Sequence, residues 1–168
     1  MVAGTVPQVR REGEIRQFSV SLDLVDGYEF AADFGLPQVE PMKLDESPPL
    51  GRGSGPDPAR LLATAVANCL ASSLLFCLRK AHIDVTGMEV AATGTLARNE
   101  QGRLRVTGID VTLKPSVAPA DVAHMGRCID IFEDFCPVTA AVRKGVAVMV
   151  EVQPVAVNGL PAAQRTNG

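Results

Sequence analysis

A long uncharged stretch predicts one helix at the centre of the fold. The 18 residues between Arg60 and Arg79 carry no charge, and Pro58 suits the first turn of a helix running from 58 to about 82. A helix that is apolar on every side must be buried on every side, in a protein core or in a membrane. Its internal polar residues and many alanines favour a core, so we expect the rest of the chain to wrap this helix.

Alternation of apolar and polar residues before the helix predicts a β-hairpin. Apolar residues take every second position from 18 to 24, Asp26-Gly27 follows, and a further strand pattern covers 28–34. Asp-Gly between two such runs is a strong hairpin signal.

The stretch 35–58 is rich in proline and glycine, which predicts an extended loop. It is too long to serve only as a connection within a compact domain, so we expect it to cover or frame a site. Its chargeable groups are expected to be mostly solvated; they are Asp45, Glu46, Arg52 and Asp57.

After the long helix the pattern predicts two more strands, 88–96 and 104–113. Residues 99–102 form the turn between them, a bulge is expected near Gly108, and Pro115 is expected to end the second strand.

Helical spacing then returns between Ala118 and Asp134, with one apolar stripe on Val122, Met125, Ile129 and Phe132. The residues 135–139, Phe-Cys-Pro-Val-Thr, break this helix and open a short one that ends at Gly145. The alternating residues 146–152 predict a closing strand.

This order of elements predicts an α+β domain, with mainly antiparallel sheets wrapped around the long helix. One sheet covers only one side of such a helix, so a second copy of the chain is expected to cover the other, giving a homodimer. We expect an N-terminal arm over 1–16, the domain over 17–153 and a disordered tail over 154–168.

Composition narrows the class of protein. A length of 168 residues favours a single domain, and a net charge of −3 without a basic block argues against nucleic-acid binding. No secretory signal is visible, which indicates a cytoplasmic protein with reduced thiols. The polar residues and alanines of the long helix argue against a membrane protein. Cysteines in that setting are more often buried, catalytic or metal-binding than structural disulfides. Their spacing lacks a Cys-x-x-Cys motif, so neither a zinc site nor another cofactor is predicted.

The four cysteines form two pairs with equal spacing. Cys69 and Cys77 are eight residues apart on one helix, about 12 Å along its axis, too far for a disulfide. The same holds for Cys128 and Cys136 if the second helix extends that far, so any bond must join the first pair to the second. Small neighbours around Cys69 leave room for another backbone or a small substrate, although a free cysteine is usually a small buried hydrophobe.

Cys136 has the stronger physical case for reactivity. It precedes Pro137, which suits the first position of a helix. The unpaired backbone N–H groups and the positive end of the helix dipole then favour its thiolate.

Two motifs in this order resemble the OsmC-like family, which holds the osmotically inducible protein C and the organic hydroperoxide resistance proteins. The first is a Gly-x-x-Pro-x-x-Leu start to a long helix, with a cysteine eleven residues after the proline. The second is Cys-Pro-Val-Ser/Thr. The matching residues are Gly55, Pro58, Leu61 and Cys69, then Cys136, Pro137, Val138 and Thr139.

The resemblance implies an intertwined α+β homodimer with two sites at the interface, reducing organic hydroperoxides. Cys69 would be the thiol that attacks the peroxide and becomes a sulfenic acid. Cys136 would be the resolving thiol that forms a disulfide with it, and an external dithiol would restore both.

One position departs from the family pattern. Peroxide-resistance members carry a glutamate directly after the helix-start proline, paired with an N-terminal arginine that supports the thiolate. This chain has Ala59 there. The partner arginine is not determined either; the candidates are Arg10, Arg11, Arg16 and Arg52.

Three functions therefore stay open from sequence. The first is a thiol-dependent peroxidase acting through Cys69 and Cys136. The second is a member of the same fold with little or no peroxidase activity, which binds a small apolar ligand at the dimer interface. The third is a structural or interaction protein with inert cysteines. In each case we expect Cys77 and Cys128 to be unreactive core residues on opposite sides of their helices.

Overall fold

The computed structural model describes residues 16–154 and has an α+β architecture with antiparallel sheets, as predicted. Up to residue 145 the predicted elements occur in the predicted order, with two differences: strand β3 is added before the long helix, and the predicted helix over 118–134 is broken. The elements are β1 (Ser21–Asp26), β2 (Glu29–Asp33), β3 (Met42–Leu44), α1 (Pro58–Lys80), β4 (Val85–Arg98), β5 (Leu104–Val117), α2 (Gly126–Ile131) and α3 (Pro137–Lys144), with 3-10 turns at Val122–His124 and Phe132–Phe135.

The predicted first hairpin is present. Strands β1 and β2 are antiparallel, with Asp26 opposite Glu29 and Gly27 in the turn at a φ of 56°. That backbone conformation is easy only for glycine. Strand β3 extends this sheet by pairing with β2, although the sequence predicted only loop there. Three residues beside a proline are too few to display an alternating pattern.

The second hairpin is longer than predicted. Strands β4 and β5 have 14 residues each and pair throughout. The expected bulge is confirmed: Thr95 lies opposite Gly108 and Leu96 opposite Val106, which leaves Thr107 extra. Pro115 does not end β5, since it lies opposite Met88 within the strand. A proline is tolerated in a two-stranded sheet because one edge of each strand needs no hydrogen-bond partner.

The long helix α1 has the predicted extent, from Pro58 to Lys80. Its buried residues form a single stripe that packs towards β4 and the helical segments after β5; they are Ala63, Val66, Ala67, Leu70, Leu74 and Leu78. Other faces stay open, and Phe76 is 60% exposed. The helix is long and apolar enough to cross a membrane, a property that the core helix of a soluble protein shares. One chain therefore covers only part of this helix.

The predicted single helix over 118–134 is instead three short pieces: a 3-10 turn, α2 and a second 3-10 turn. Met125 and Cys128 are buried, whereas Val122 and Ile129 are exposed, so the predicted apolar stripe is only partly right. Gly126 opens α2 without a side-chain cap, and glycine is a poor helix former. The short helix after Pro137 is confirmed as α3, ending at Gly145 with a φ of 75°.

The predicted closing strand over 146–152 is not paired in the described part of the chain. Its valines and Met149 are 67–82% exposed. The predictions of an arm and a disordered tail concern residues that, apart from Arg16 and Pro154, lie outside the described range.

Candidate redox site

Helix α1 and the segment that follows β5 run past each other in opposite directions. Cys69 of α1 faces Cys136, and Cys77 of α1 is bonded to Cys128. Each segment spaces its two cysteines by eight residues, so one antiparallel register brings both pairs together. The sequence predicted that any disulfide joins Cys69 or Cys77 to Cys128 or Cys136. The Cys77–Cys128 bond is of that kind.

The pair formed by Cys69 and Cys136 consists of two free thiols within hydrogen-bond reach. Cys136 is fully buried, at 0% exposure, while Cys69 is half-buried. Val66, Leu70 and Phe132 pack around them. A molecule approaching from solvent therefore meets the Cys69 sulfur first.

Cys136 is the N-cap residue of α3, so its sulfur lies at the positive end of that helix. Pro137 takes the first helical position, where its missing N–H costs nothing. The Thr139 N–H donates to Cys136 Sγ at 3.4 Å, and the Cys136 thiol donates to Thr139 Oγ1 at 2.9 Å. When the thiol ionises, the same hydroxyl can turn and donate to the thiolate.

These contacts separate the acidities of the two thiols. Burial tends to raise the pKa of Cys136, but hydrogen bonds from Cys69, from the Thr139 hydroxyl and from the α3 N–H groups outweigh it and hold that pKa below its ordinary value. The pKa of Cys69 is raised, by burial first and then by its hydrogen bond to Cys136. Negative charge therefore resides preferentially on the buried sulfur, with the proton on the accessible one.

Thr139 is the site residue whose role sequence reasoning missed, although the residue itself was named as part of a motif. The motif Cys-Pro-Val-Thr was noted for its cysteine and its proline. A threonine three positions after a helix N-cap is well placed to contact the cap, which is the signal that could have identified it.

The prediction that Cys77 and Cys128 are unreactive core residues on opposite sides of their helices is wrong. They form a disulfide with their Cα atoms 5.6 Å apart. The expectation of four reduced thiols fails with it. Cys128 is buried as predicted, but the repeated eight-residue spacing brings its sulfur to Cys77 rather than into an inert position.

The loop before α1 is folded around buried carboxylates. The prediction that its charged groups are mostly solvated is wrong for Asp45 and Asp57, which are buried, and right for Arg52, which is exposed. Asp45 accepts hydrogen bonds from the backbone N–H groups of Arg52 and Ser54, both at 3.0 Å, and is 3% exposed. The hydrogen bonds from Ser54 and Arg52 outweigh burial and keep the pKa of Asp45 low. The helix that carries Cys69 thus follows a loop whose backbone is held by hydrogen bonds to a buried carboxylate.

A second buried carboxylate, Glu29 on β2, joins this loop to the first sheet. It accepts a hydrogen bond from the Ser54 hydroxyl at 2.7 Å and pairs with Lys43 at 3.1 Å. These contacts, Ser54 first, lower the pKa of Glu29. The Arg52 guanidinium pairs with Asp26 at 2.7 Å and lies 3.5 Å from Glu29, so it serves this network rather than Cys69.

The first turn of α1, where Ala59 departs from the family pattern, contains an ion pair. Asp57 caps the helix by accepting from the Arg60 N–H at 2.8 Å, and its carboxylate also pairs with the Arg60 guanidinium. The Ser47 hydroxyl donates to Asp57 at 3.0 Å. Arg60 is therefore held beside the helix start by Asp57, and Ala59 contributes no carboxylate.

Two grooves adjoin α1. The larger, of about 840 Å³, lies between α1 and the β4–β5 hairpin and is lined mainly by small and apolar side chains. The smaller, of about 530 Å³, runs between α1, β5 and α3. Its wall includes Val66 and Thr139, both of which contact Cys136. Apolar molecules in the smaller groove would lie against the shell of the thiol pair.

Comparison with known protein families identifies the family of this chain. A family model described as OsmC-like protein matches residues 51–151, more than half of the chain. The chain belongs to the OsmC-like family, and the resemblance drawn from its motifs is confirmed.

Solved structures share the fold at low sequence identity. An OsmC-like protein of unknown function from Vibrio cholerae O1 biovar eltor is 14% identical, with a TM-score of 0.66 over 76% of this chain and 94% of that one. An organic hydroperoxide resistance protein OsmC from Legionella pneumophila is 16% identical (TM-score 0.55; 78% and 92% covered). The organic hydroperoxide resistance protein OhrB of Bacillus subtilis is 22% identical (TM-score 0.52; 76% and 91% covered). No curated protein matches the chain at a significant level.

Proposed function

We propose that this protein is a thiol-dependent peroxidase that reduces organic hydroperoxides, with Cys69 as the attacking thiol and Cys136 as the resolving thiol. The observation that carries the proposal is the contact between two free thiols, one accessible and one buried at the start of α3. Membership of a family that includes organic hydroperoxide resistance proteins supports it.

In the first step the Cys69 proton passes along the hydrogen bond to the Cys136 thiolate. The Cys69 thiolate then attacks the terminal oxygen of the hydroperoxide and breaks the O–O bond. Cys69 becomes a sulfenic acid, and the departing alkoxide takes the proton from Cys136 to leave as an alcohol. Cys136 thus serves as a local proton acceptor at a site where Ala59 replaces the helix-start glutamate of the family.

In the second step the regenerated Cys136 thiolate attacks the Cys69 sulfur. A disulfide forms, and hydroxide departs and is protonated by solvent. An external dithiol then reduces the disulfide by two thiol–disulfide exchanges, restoring both thiols and becoming a disulfide itself. The N–H groups at the start of α3 stabilise the resolving thiolate in both steps.

The test is a thiol count. Reduced protein titrated with cumene hydroperoxide should lose Cys69 and Cys136 as one disulfide per chain, and Cys69→Ser should lose none through this pair. Mapping each thiol by alkylation and mass spectrometry separates this loss from oxidation at Cys77 and Cys128. If Cys69 remained a free thiol after treatment with excess hydroperoxide, the proposal would be contradicted.

A second candidate function is binding of a small apolar ligand by an OsmC-fold protein of weak peroxidase activity. Ala59 favours it, because the position lines the larger groove without a charge. Saturable binding of an apolar fluorescent probe that survives Cys69→Ser, together with no thiol loss on hydroperoxide addition, would favour this function.

The functional unit that we propose is a cytoplasmic homodimer. Leu22 and Leu24 of β1 are 52% and 63% exposed, and the alternating valines of 146–152 find no strand partner in the described chain. Extended apolar segments with free backbone groups need another strand beside them. A second copy of the chain can supply it and can cover the open faces of α1. Sedimentation velocity tests this, and a monodisperse monomer at micromolar concentration would contradict it.

A further inference from the structure

We propose that Cys77 and Cys128 form a second redox couple, whose disulfide acts as a clamp that holds the Cys136-bearing segment against α1. The clamp sets how often Cys136 meets Cys69. This inference rests on the proposed function for its consequence, whereas the existence and effect of the clamp can be measured without peroxide.

The geometry places the clamp where it can act. Cys128 lies in α2 and Cys136 caps α3, with the 3-10 turn Phe132–Phe135 between them. Through the disulfide, α2 is covalently tied to α1 two helical turns beyond Cys69. Phe132 packs against both the cluster around Cys128 and the cluster around Cys136. Movement at one cysteine contact is therefore transmitted to the other by a short segment and one shared side chain.

The segment needs such a tie because its own structure is weak. It consists of a six-residue helix and short 3-10 turns, and α2 has no side-chain cap. Isolated helices of that length are unstable in water. Its buried residues are few: Met125 and Cys128 in one cluster, then Cys136 in the other. Losing the bond at Cys128 removes one of its main anchors to α1.

The couple can exchange with small thiols. Cys77 is half-buried whereas Cys128 is buried, so an incoming dithiol reaches the Cys77 sulfur first. One thiolate of the dithiol forms a bond with the Cys77 sulfur and displaces Cys128 as a thiolate. The second sulfur of the dithiol then attacks the dithiol sulfur that is bonded to Cys77. This step releases Cys77 as a thiolate and leaves the dithiol as a disulfide. In the reverse direction glutathione disulfide accepts the two electrons of Cys77 and Cys128 and leaves as two glutathione thiols.

The first experiment isolates the couple. In the double variant C69S/C136S only Cys77 and Cys128 can bond, and this variant cannot act as the proposed peroxidase. Equilibration in glutathione buffers should give one intramolecular disulfide, mapped to the peptides around 77 and 128 by mass spectrometry. Two free thiols across the whole series, up to fully oxidised glutathione, would overturn the inference.

The second experiment measures the clamp in that same variant. Reduction should speed hydrogen exchange of the amides in 126–136 at least tenfold and leave the β4–β5 hairpin unchanged. Equal exchange in 126–136 before and after reduction would mean that the bond restrains nothing, and would overturn the clamp.

The third experiment measures the consequence for the other pair. The effective concentration of Cys136 at Cys69, obtained from glutathione equilibria, should fall at least tenfold in Cys77→Ala and equally in Cys128→Ala. The double variant should be no worse than either single one, since all three lose the same bond. Additive losses would indicate lost packing rather than a lost clamp, and an unchanged value would overturn the link between the pairs.

Discussion

The Thr139 backbone N–H donates to the sulfur of Cys136, so the buried thiol caps the helix that follows it. The carboxylate or hydroxyl found at most helix starts is replaced here by a sulfur atom. The cap therefore ties the ionisation of Cys136 to the local backbone fold. In the mechanism that we propose, it also gives Cys69, one hydrogen bond away, a base to receive its proton.

Thr139→Val should move the ionisation of Cys136 to higher pH. The substitution keeps the shape of the side chain and removes the hydroxyl that stabilises the thiolate. Thiolate absorbance at 240 nm, followed against pH in a Cys69→Ser background, measures this. Thr139→Ser retains the hydroxyl and is the matched control. Identical titration curves for the two variants would exclude a role for the hydroxyl.

Cys136→Ser should leave Cys69 able to react once, more slowly than in the wild type because its local proton acceptor is gone, but unable to form its disulfide. Hydroperoxide should then convert Cys69 to a sulfenic acid that persists long enough to be trapped by dimedone, because its resolving partner is gone. Cys69→Ser should give no such adduct at Cys136, whose sulfur is fully buried. Mass spectrometry of the adducts distinguishes the two, and an adduct at Cys136 would reverse the proposed roles.

Acid should loosen the loop before α1. Asp45 and Glu29 have pKa values lowered below those of an unfolded chain, chiefly by hydrogen bonds involving Ser54. Their stabilisation is present above about pH 4, the range in which free Asp and Glu ionise, and is lost as pH falls through the folded values. The free energy of unfolding, measured in urea between pH 6 and pH 3 at steps of about half a unit, should decline in that range.

Asp45→Asn should flatten this acid dependence, because one carboxylate with a lowered pKa is gone. Asp110→Asn removes an exposed carboxylate on β5 and should keep the wild-type slope. Equal slopes for both variants would show that Asp45 contributes nothing to acid sensitivity.

Reduction of the Cys77–Cys128 bond should lower the free energy of unfolding by roughly 2 to 4 kcal/mol, since it frees a loop closed over a separation of 51 residues. Chemical unfolding of the C69S/C136S variant with and without a dithiol measures it. A variant that also lacks Cys77 should show no change on reduction. If the two proteins respond alike to the dithiol, the bond does not stabilise the fold.

Val150→Glu should weaken the proposed dimer at least about a hundredfold, because a charge would be buried without a partner at the new strand pairing. Glu151→Lys, on the other face of the same alternating segment, is the control and should associate normally. Sedimentation velocity over a concentration series gives both constants. A Val150→Glu protein that associates as tightly as wild type would place the dimer contact elsewhere.

Local patterns predicted those regions of the fold that are set by near neighbours. The uncharged run after Pro58 identified α1, and Asp26-Gly27 identified the first turn, because both signals act within a few residues. Strand β3 was missed since its pairing with β2 depends on the folded loop around Asp45. The break of the 118–134 helix was missed because Gly126 and the packing of Phe132 override a periodic apolar pattern.

The site was partly predictable for the same reason. The position of Cys136 before Pro137 indicated a stabilised thiolate from local chemistry alone. Spacing limited the disulfides to bonds between the two cysteine pairs but could not choose the register. That choice depends on how α1 packs against α2, a contact between segments about 50 residues apart in sequence.

The matched spacing of the cysteines restricts how this segment can vary in length. One residue added or removed between Cys128 and Cys136 would rotate the following backbone by about 100° where it is helical, and would separate the sulfurs of one pair while those of the other stayed joined. Exposed positions such as Asp130 and Asp134 can accept new side chains. An insertion or a deletion there would prevent the Cys69–Cys136 contact and the Cys77–Cys128 bond from forming together.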